Sequence, residues 1–271
     1  METNKIYHGD CLEIMKKIKD KSIDMILCDL PYGVTKNKWD YILPFDKLWS
    51  QYKRIIKKNG IIVLTATQPF ATDLINSNRE WFRYDLIYEK TLGSGFLNAK
   101  RMPMRYHEHI FIFYNKLPKY NPIMGKGNRK KGVNKSKDNG SNYGKKTKFD
   151  YAYDDEGKRY PKSIIKISTG DRTKEQYHPT GKPVELLRYL IKMYSNEGDI
   201  ILDNCLGGGT TAVACKQLRR HYIGIELSKK YVEIAQKRLS QSVLFPLDAK
   251  QEGGNGIPPT NKLVGILPIF I

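Results

Sequence analysis

Leu202-Asp203-Asn204-Cys205-Leu206-Gly207-Gly208-Gly209-Thr210-Thr211 is the stretch on which the fold turns. An apolar run over 200–202 leads into three consecutive glycines and then into a helical pattern over 211–218. Glycine suits that junction because it takes up backbone conformations closed to other residues and admits a ligand close to main-chain N–H groups at a helix start. Seventeen residues after Gly209, Glu226 ends the next apolar run, Tyr222-Ile223-Gly224-Ile225. A carboxylate there is placed to accept the hydroxyls of a ribose. The motif marks a site for an adenosine-type cofactor of unspecified kind, because Gly207, Gly209 and Ala212 also satisfy the G-x-G-x-x-A pattern of a nicotinamide dehydrogenase.

Working outward, short strand-like runs stand at 23–28, 61–66, 86–88, 109–114, 200–202 and 221–225. Helical patterns lie between them at 12–18, 45–56 and 69–75, and again at 183–194, 211–218 and 229–239. Such alternation predicts an α/β domain with a mainly parallel sheet. Pro183 suits a helix start, and Thr210 or Thr211 is a candidate cap for the helix after the glycines. In open α/β sheets ligands lie beyond the carboxyl ends of the strands. The run 23–28 ends in Cys28-Asp29-Leu30-Pro31-Tyr32-Gly33, so Asp29 and Tyr32 are expected at the same crevice as the glycine loop. A carboxylate and the Leu30 carbonyl can both accept hydrogen bonds from an exocyclic amine while the Tyr32 ring stacks on its heterocycle, an arrangement that suits a flipped-out nucleobase. Alone, Asp-x-Pro is equally a common turn signal.

Composition sets the limits. The chain has 271 residues, 40% of them hydrophobic, which is enough for a full core and excludes a disordered basic tail. The longest apolar stretch, 263–271, is far short of a membrane span, and the N-terminus lacks the apolar region of a secretory signal. Cys11, Cys28, Cys205 and Cys215 are widely spaced, which favours buried reduced thiols in the cytosol over a disulfide framework or a zinc site. No metal is expected, His107, His109 and His178 included. Forty-seven Lys and Arg against 28 Asp and Glu give +19, and +11 of it falls within 115–182. That region has no Leu, Ile or Met over 125–163, but interleaves Tyr143, Phe149, Tyr151, Tyr153 and Tyr160 with basic residues. It cannot build a core of its own, and reads either as a solvated loop or as a surface for nucleic acid.

Taken together, these residues resemble a known family. Asp29-Leu30-Pro31-Tyr32 is similar to the D-P-P-Y motif of amino-group DNA methyltransferases, and Asp203 to Thr211 is similar to their D-P-F-x-G-S-G-T-T cofactor motif. Ile6-Tyr7-His8-Gly9-Asp10-Cys11-Leu12-Glu13 resembles the G-D-x-L-E opening. His178-Pro179-Thr180-Gly181-Lys182-Pro183 resembles H-P-T-Q-K-P, and the segment 222–239 resembles I-G-I-E-L with its helix. The base-amine motif precedes the variable region and the cofactor motif, an order that matches the permuted β group. The likeness covers about residues 5–240.

The resemblance implies a Rossmann-like, seven-stranded, mainly parallel sheet that binds S-adenosylmethionine across its carboxyl edge and carries a basic target-recognition insert. It divides the chain into a catalytic half (1–114), the insert (115–177), a cofactor-binding half (178–240) and a C-terminal extension (241–271). Gly207 and Gly209 would border the methionine moiety, with Asp203, Thr210 and Thr211 in the same motif. Glu226 would hold the ribose hydroxyls, Asp10 and Cys11 would lie near the adenine, and Lys182 would contact the cofactor carboxylate. Asp29, Leu30, Pro31 and Tyr32 would form the catalytic motif, with Asp29 also beside the cofactor. Arg129, Lys130 and Lys131 are the densest basic cluster for DNA, and Arg101 and Arg105 lie nearer the catalytic edge. The departures are Leu30 for Pro, Asn204-Cys205 for Pro-Phe, Gly208 for Ser and Gly181 for Gln; Leu30 loosens the turn but supplies the same carbonyl.

The implied activity is methyl transfer to N6 of a flipped adenine in double-stranded DNA. The N4-cytosine enzymes share the geometry, but the family typically has Ser where Asp29 stands, which favours adenine. A dehydrogenase is disfavoured because only about 60 residues follow Gly209, and a non-enzymatic DNA-binding module because both chemical motifs are intact. RNA is a further substrate compatible with the charge. A second copy of the chain and a cognate restriction endonuclease remain open as partners, and the Lys, Ile and Asn richness points to an A·T-rich bacterial or phage source.

Overall fold

The computed structural model describes residues 1–34, 40–134, 151–168 and 181–241. Tyr143, Phe149, His178 to Thr180 and the tail beyond residue 241 lie outside them. In chain order the elements are β1 (Lys5–His8), α1 (Cys11–Met15), β2 (Ile23–Cys28), α2 (Phe45–Ile55), β3 (Ile56–Ala66) and α3 (Phe70–Ser77). A long hairpin follows, β4 (Phe82–Ser94) and β5 (Arg105–Phe113), with a 3-10 turn at Phe96–Asn98. Next come the short strands β6 (Gly125–Lys126), β7 (Lys131–Asn134), β8 (Tyr151–Asp154), β9 (Lys158–Arg159) and β10 (Ile164–Lys166). The chain then continues through α4 (Val184–Tyr194), β11 (Ile200–Asp203), α5 (Thr210–Gln217), β12 (His221–Glu226) and α6 (Lys229–Gln241).

The main sheet has the order β1-β12-β11-β2-β3-β5-β4-β10, in which β5 alone runs antiparallel to its neighbours. The expected seven strands are present and an eighth is added. Ile164-Ile165-Lys166 lies parallel to Ile87-Tyr88-Glu89, and Ile165 is buried there. Among the described residues, those within 124–161 group as one compact unit and those of 1–123 with 162–241 as another. Ile164 and Ile165 stand between Ser163 and Lys166, and burial of Ile165 lets β10 extend the sheet edge, which the charge count alone does not register.

Alternation along each strand builds two cores. Ile26 and Cys28 of β2, Ile62 and Leu64 of β3, and Phe111 and Phe113 of β5 face α1, α2 and α3. Met25 and Leu27, Ile61 and Val63, and Ile110 and Ile112 face the helices α4, α5 and α6. The period of two fits strands buried on both sides, whose runs read as almost continuously apolar. In α2 the buried residues Leu48, Trp49, Tyr52 and Ile55 recur at helical spacing, and Leu186, Leu187, Leu190, Ile191 and Tyr194 do so in α4. In the unit 124–161 two hairpin pairings, β6 with β9 and β7 with β8, form without any described apolar side chain being buried.

Two local expectations change. Helix α5 is not capped by a threonine: its cap is Gly209 at φ +83°, and the Thr211 hydroxyl donates instead to Asp203 Oδ2 at 2.5 Å. Pro183 immediately precedes α4 rather than opening its first turn. Among the described residues no helix is long and apolar enough to cross a membrane.

Candidate active site

Strands β2, β3 and β4 run in one direction, so their carboxyl ends share an edge, and β5 begins there. Register decides which side chains meet. Cys28 pairs with Leu64, which sets Asp29 opposite Thr65, and Glu108 of β5 pairs with Tyr88 of β4. Asp29 Oδ1 accepts from the Tyr32 hydroxyl at 2.6 Å and from the Thr65 hydroxyl. Asp29 Oδ2 lies 2.6 Å from Lys182 Nζ. The same ammonium is 3.1 Å from Glu108 Oε2, and Glu108 Oε1 is 3.1 Å from Lys90 Nζ. A chain of four alternating charges, Asp29, Lys182, Glu108 and Lys90, thus runs across the sheet edge.

Their protonation follows from that pairing. Burial alone would push the Asp29 carboxyl up, but the Lys182 ammonium, with hydrogen bonds from Lys182, Thr65 and Tyr32, outweighs it and holds the group below the usual carboxylate range. Burial would likewise lower Lys182, yet Asp29 and Glu108 drive it well above an ordinary lysine. Tyr32 is raised well above a free phenol by burial and by the neighbouring Asp29 charge. At neutral pH the centre is therefore a carboxylate, an ammonium and a neutral phenol. The Tyr32 ring stacks on Phe70, with centroids 5.1 Å apart and planes at 27°, and Lys182 Nζ lies 5.8 Å from its centroid. Leu30 is buried and Pro31 half-buried beside them.

The second group of residues sits at the carboxyl ends of β1, β11 and β12. His8 of β1 pairs with Glu226 of β12, so Asp10 and Glu226 emerge from neighbouring strands. Glu226 Oε2 accepts from the Gly207 amide at 2.7 Å, and Oε1 from the Ser228 amide at 2.8 Å. Gly207 has φ +53°, as the turn requires. Gly209 is glycine for a further reason: a Cβ there would come within 2.7 Å of Ala235 Cβ on α6. Asp203 Oδ1 accepts from the Cys205 amide at 3.1 Å, so this buried carboxyl pins the loop from below. Burial pushes it up to about 6, against the hydrogen bonds from Thr211, the Cys205 amide and Cys28. Asp10 is exposed, and its Oδ1 caps α1 by accepting from the Leu12 and Glu13 amides. Cys11, Cys28 and Cys215 are buried and Cys205 is half-buried, and all four are free thiols.

The sequence-derived catalytic and cofactor candidates therefore fall into two groups on one edge. Lys182, expected at the cofactor, holds its ammonium between Asp29 and Glu108. Thr65, Phe70, Lys90 and Glu108 were not anticipated. Thr65 is legible only as a polar residue near the end of an apolar strand, and Glu108 and Lys90 carry no motif. Arg101, in the β4–β5 connection, and Arg105, the first residue of β5, are exposed at this edge. In the other unit, Arg129 and Lys131 pair with Asp154, at 3.3 Å for Lys131 Nζ, and Arg159 pairs with Asp155 at 2.6 Å. Part of the basic cluster is thus already countered by local acids.

The donor set tests for an adenosine-type group. Two carboxylates from adjacent strands and positive-φ glycines at the start of α5 are what a hydroxylated ribose and a charged tail require, and Glu226 is held in place by two amides. The residues fit.

A family model described as DNA methylase matches residues 23–237. The chain is 29% identical to the Type II methyltransferase M.HinfI of Haemophilus influenzae, over 90% of this chain and 70% of that protein. It is 30% identical to the Type II methyltransferase M2.DpnII of Streptococcus pneumoniae, over 86% of this chain and 88% of the relative. The solved M1.HpyAVI complex with SAM superposes with a TM-score of 0.58 and 25% identity, covering 87% of this chain and 98% of that one.

Proposed function

The chain belongs to the DNA methylase family, and from that premise we propose that it methylates the exocyclic N6 of an adenine flipped out of duplex DNA. It is an amino-group DNA methyltransferase that uses S-adenosylmethionine. The observation that carries the adenine reading is Asp29, an ionised carboxylate at the end of β2 beside the Tyr32 ring.

When bound, S-adenosylmethionine supplies an electrophilic methyl group. Glu226 would take the ribose hydroxyls, Gly207 and Gly209 would flank the methionine end, and Asp10 and Cys11 would lie toward the adenine. Asp203 and Thr211 keep that loop in shape. An exocyclic amine is a weak nucleophile because its lone pair is delocalised into the ring. Asp29 and the Leu30 carbonyl accept its two N–H bonds and so favour a pyramidal nitrogen with a directed lone pair. An ionised carboxylate is an acceptor only, and Asp29 orients the amine for transfer rather than deprotonating it first. Lys182 holds Asp29 in that state, and Tyr32 stacks on the base. Such alignment can remove roughly 7–11 kcal/mol of barrier.

Type II methyltransferases among the bacterial relatives support a place in a restriction-modification system, a cognate endonuclease and a cytoplasmic site of action. The test is incubation with labelled S-adenosylmethionine and unmethylated DNA, followed by nucleoside mass spectrometry. N6-methyl-2′-deoxyadenosine is expected; N4-methyl-2′-deoxycytidine would reassign the base, and no methylated nucleoside would refute the activity. Asp29→Ala is expected to abolish transfer while cofactor binding persists.

A further inference from the structure

The β4–β5 connection carries large apolar side chains into solvent beside the active-site edge. Phe96 is 77% exposed and Leu97 is 97% exposed. They are held there by an internally bonded turn. Gly95 has φ +90°, the Asn98 amide donates to the Gly95 carbonyl at 2.9 Å, and the Ala99 amide donates to the Phe96 carbonyl at 3.0 Å. The Arg101 amide then donates to the Asn98 carbonyl at 2.8 Å, which closes the base of the turn. An ordered turn that presents two apolar side chains to water is costly for an isolated protein. Its surroundings say what covers it. From Lys90 to His107 the sequence contains no Asp or Glu but includes Lys100, Arg101 and Arg105. Arg105 lies three residues before Glu108, roughly 10 Å along the strand, and Glu108 is one ion pair from Lys182, which holds Asp29.

We propose that Phe96 and Leu97 form the wedge that enters the DNA stack at the target position, while Lys100, Arg101 and Arg105 hold the flanking phosphates. This rests on the DNA methyltransferase reading and deepens it. Extruding a base leaves a gap and costs unstacking and unpairing energy, and apolar side chains inserted between base steps offset that cost. A basic rim without acidic residues complements phosphates and disfavours an acidic protein partner. The 3-10 turn sets the wedge in advance, so little ordering remains to be done on binding.

The test uses the full chain and a duplex oligonucleotide bearing the sequence that the wild-type enzyme methylates. The target base is either normally paired or placed opposite an abasic position. The double variant Phe96→Ala, Leu97→Ala is expected to lose about 10-fold to 100-fold in kcat/KM on the paired duplex, where a few kcal/mol of extrusion is unassisted. On the duplex with the abasic position it is expected to match the wild type within a few-fold, with an unchanged melting midpoint. Equal loss on both duplexes, or none on either, overturns the wedge and leaves the methyltransferase reading standing. Failure of the wild type to methylate either duplex or genomic DNA overturns the reading itself.

Discussion

Lys182 is 10% exposed and sits between two carboxylates, so its charge is fixed by its neighbours, and theirs by it. Lys182→Met leaves Asp29 with its burial and without the cation that offsets it. The Asp29 carboxyl must then rise, and the form that accepts an amine is lost at a higher pH than in the wild type. The acid limb of the pH–rate profile is expected to move upward while the affinity for S-adenosylmethionine, measured by calorimetry, stays near that of the wild type. A lost affinity with an unmoved limb would make Lys182 a cofactor contact instead. Asp203 shows the opposite sign. Its carboxyl titrates at about 6 in the fold and near 3.8 when unfolded, so the folded state holds the proton more tightly. The stability this contributes, roughly 3 kcal/mol, is complete below pH 4 and gone once the pH has risen through 6. Asp203→Asn should flatten the fall in melting temperature between pH 4 and 6, and an unchanged slope would mean that another group carries it.

At the level of elements, the central strands and amphipathic helices were legible because burial on both sheet faces writes long apolar runs. Strands β2 and β12 and helices α2 and α4 lie within a residue or two of their expected bounds. What was missed depends on partners distant in sequence. Strand β1, Lys5-Ile6-Tyr7-His8, is mixed in composition and is a strand because β12 offers it an edge. The extensions of β4 and β5 are polar and exist because each pairs with the other. The site divided in the same way. Asp29, Tyr32, Gly207 and Glu226 were legible from motifs, whereas Thr65, Glu108 and Lys90 join the centre only through sheet register. Gly209 was read for the ligand, but its Cβ position is closed by Ala235 of α6. Gly209→Ala is therefore expected to destabilise the protein by about 2–4 kcal/mol, through positive φ and overlap together. Chemical denaturation measures this, and adding Ala235→Gly should recover the overlap part only.

For the whole molecule, +19 overstates the charge that is free to meet a polyanion. Asp154 and Asp155 draw Arg129, Lys131 and Arg159 into exposed pairs, which are individually weak and can be exchanged for phosphate contacts. Lys130 has no ion-pair partner among the described residues. DNA affinity should fall steeply with salt, and Lys130→Ala should shallow the log–log slope by about 0.9 if that side chain neutralises one phosphate. An unaltered slope would place DNA elsewhere on the chain.

On either side of residues 124–161 the chain is anchored within the main unit. Before it, the Asn121 amide donates to the Met193 carbonyl at 2.8 Å, and Asn121 Nδ2 reaches the Lys192 and Ser195 carbonyls at 3.1 Å each. After it, β10 is stitched to β4 before the chain arrives at Lys182. Both anchors lie in the sheet and its helices, so a change in the length of the segment between them is expected to leave the register of β10 on β4 unaltered.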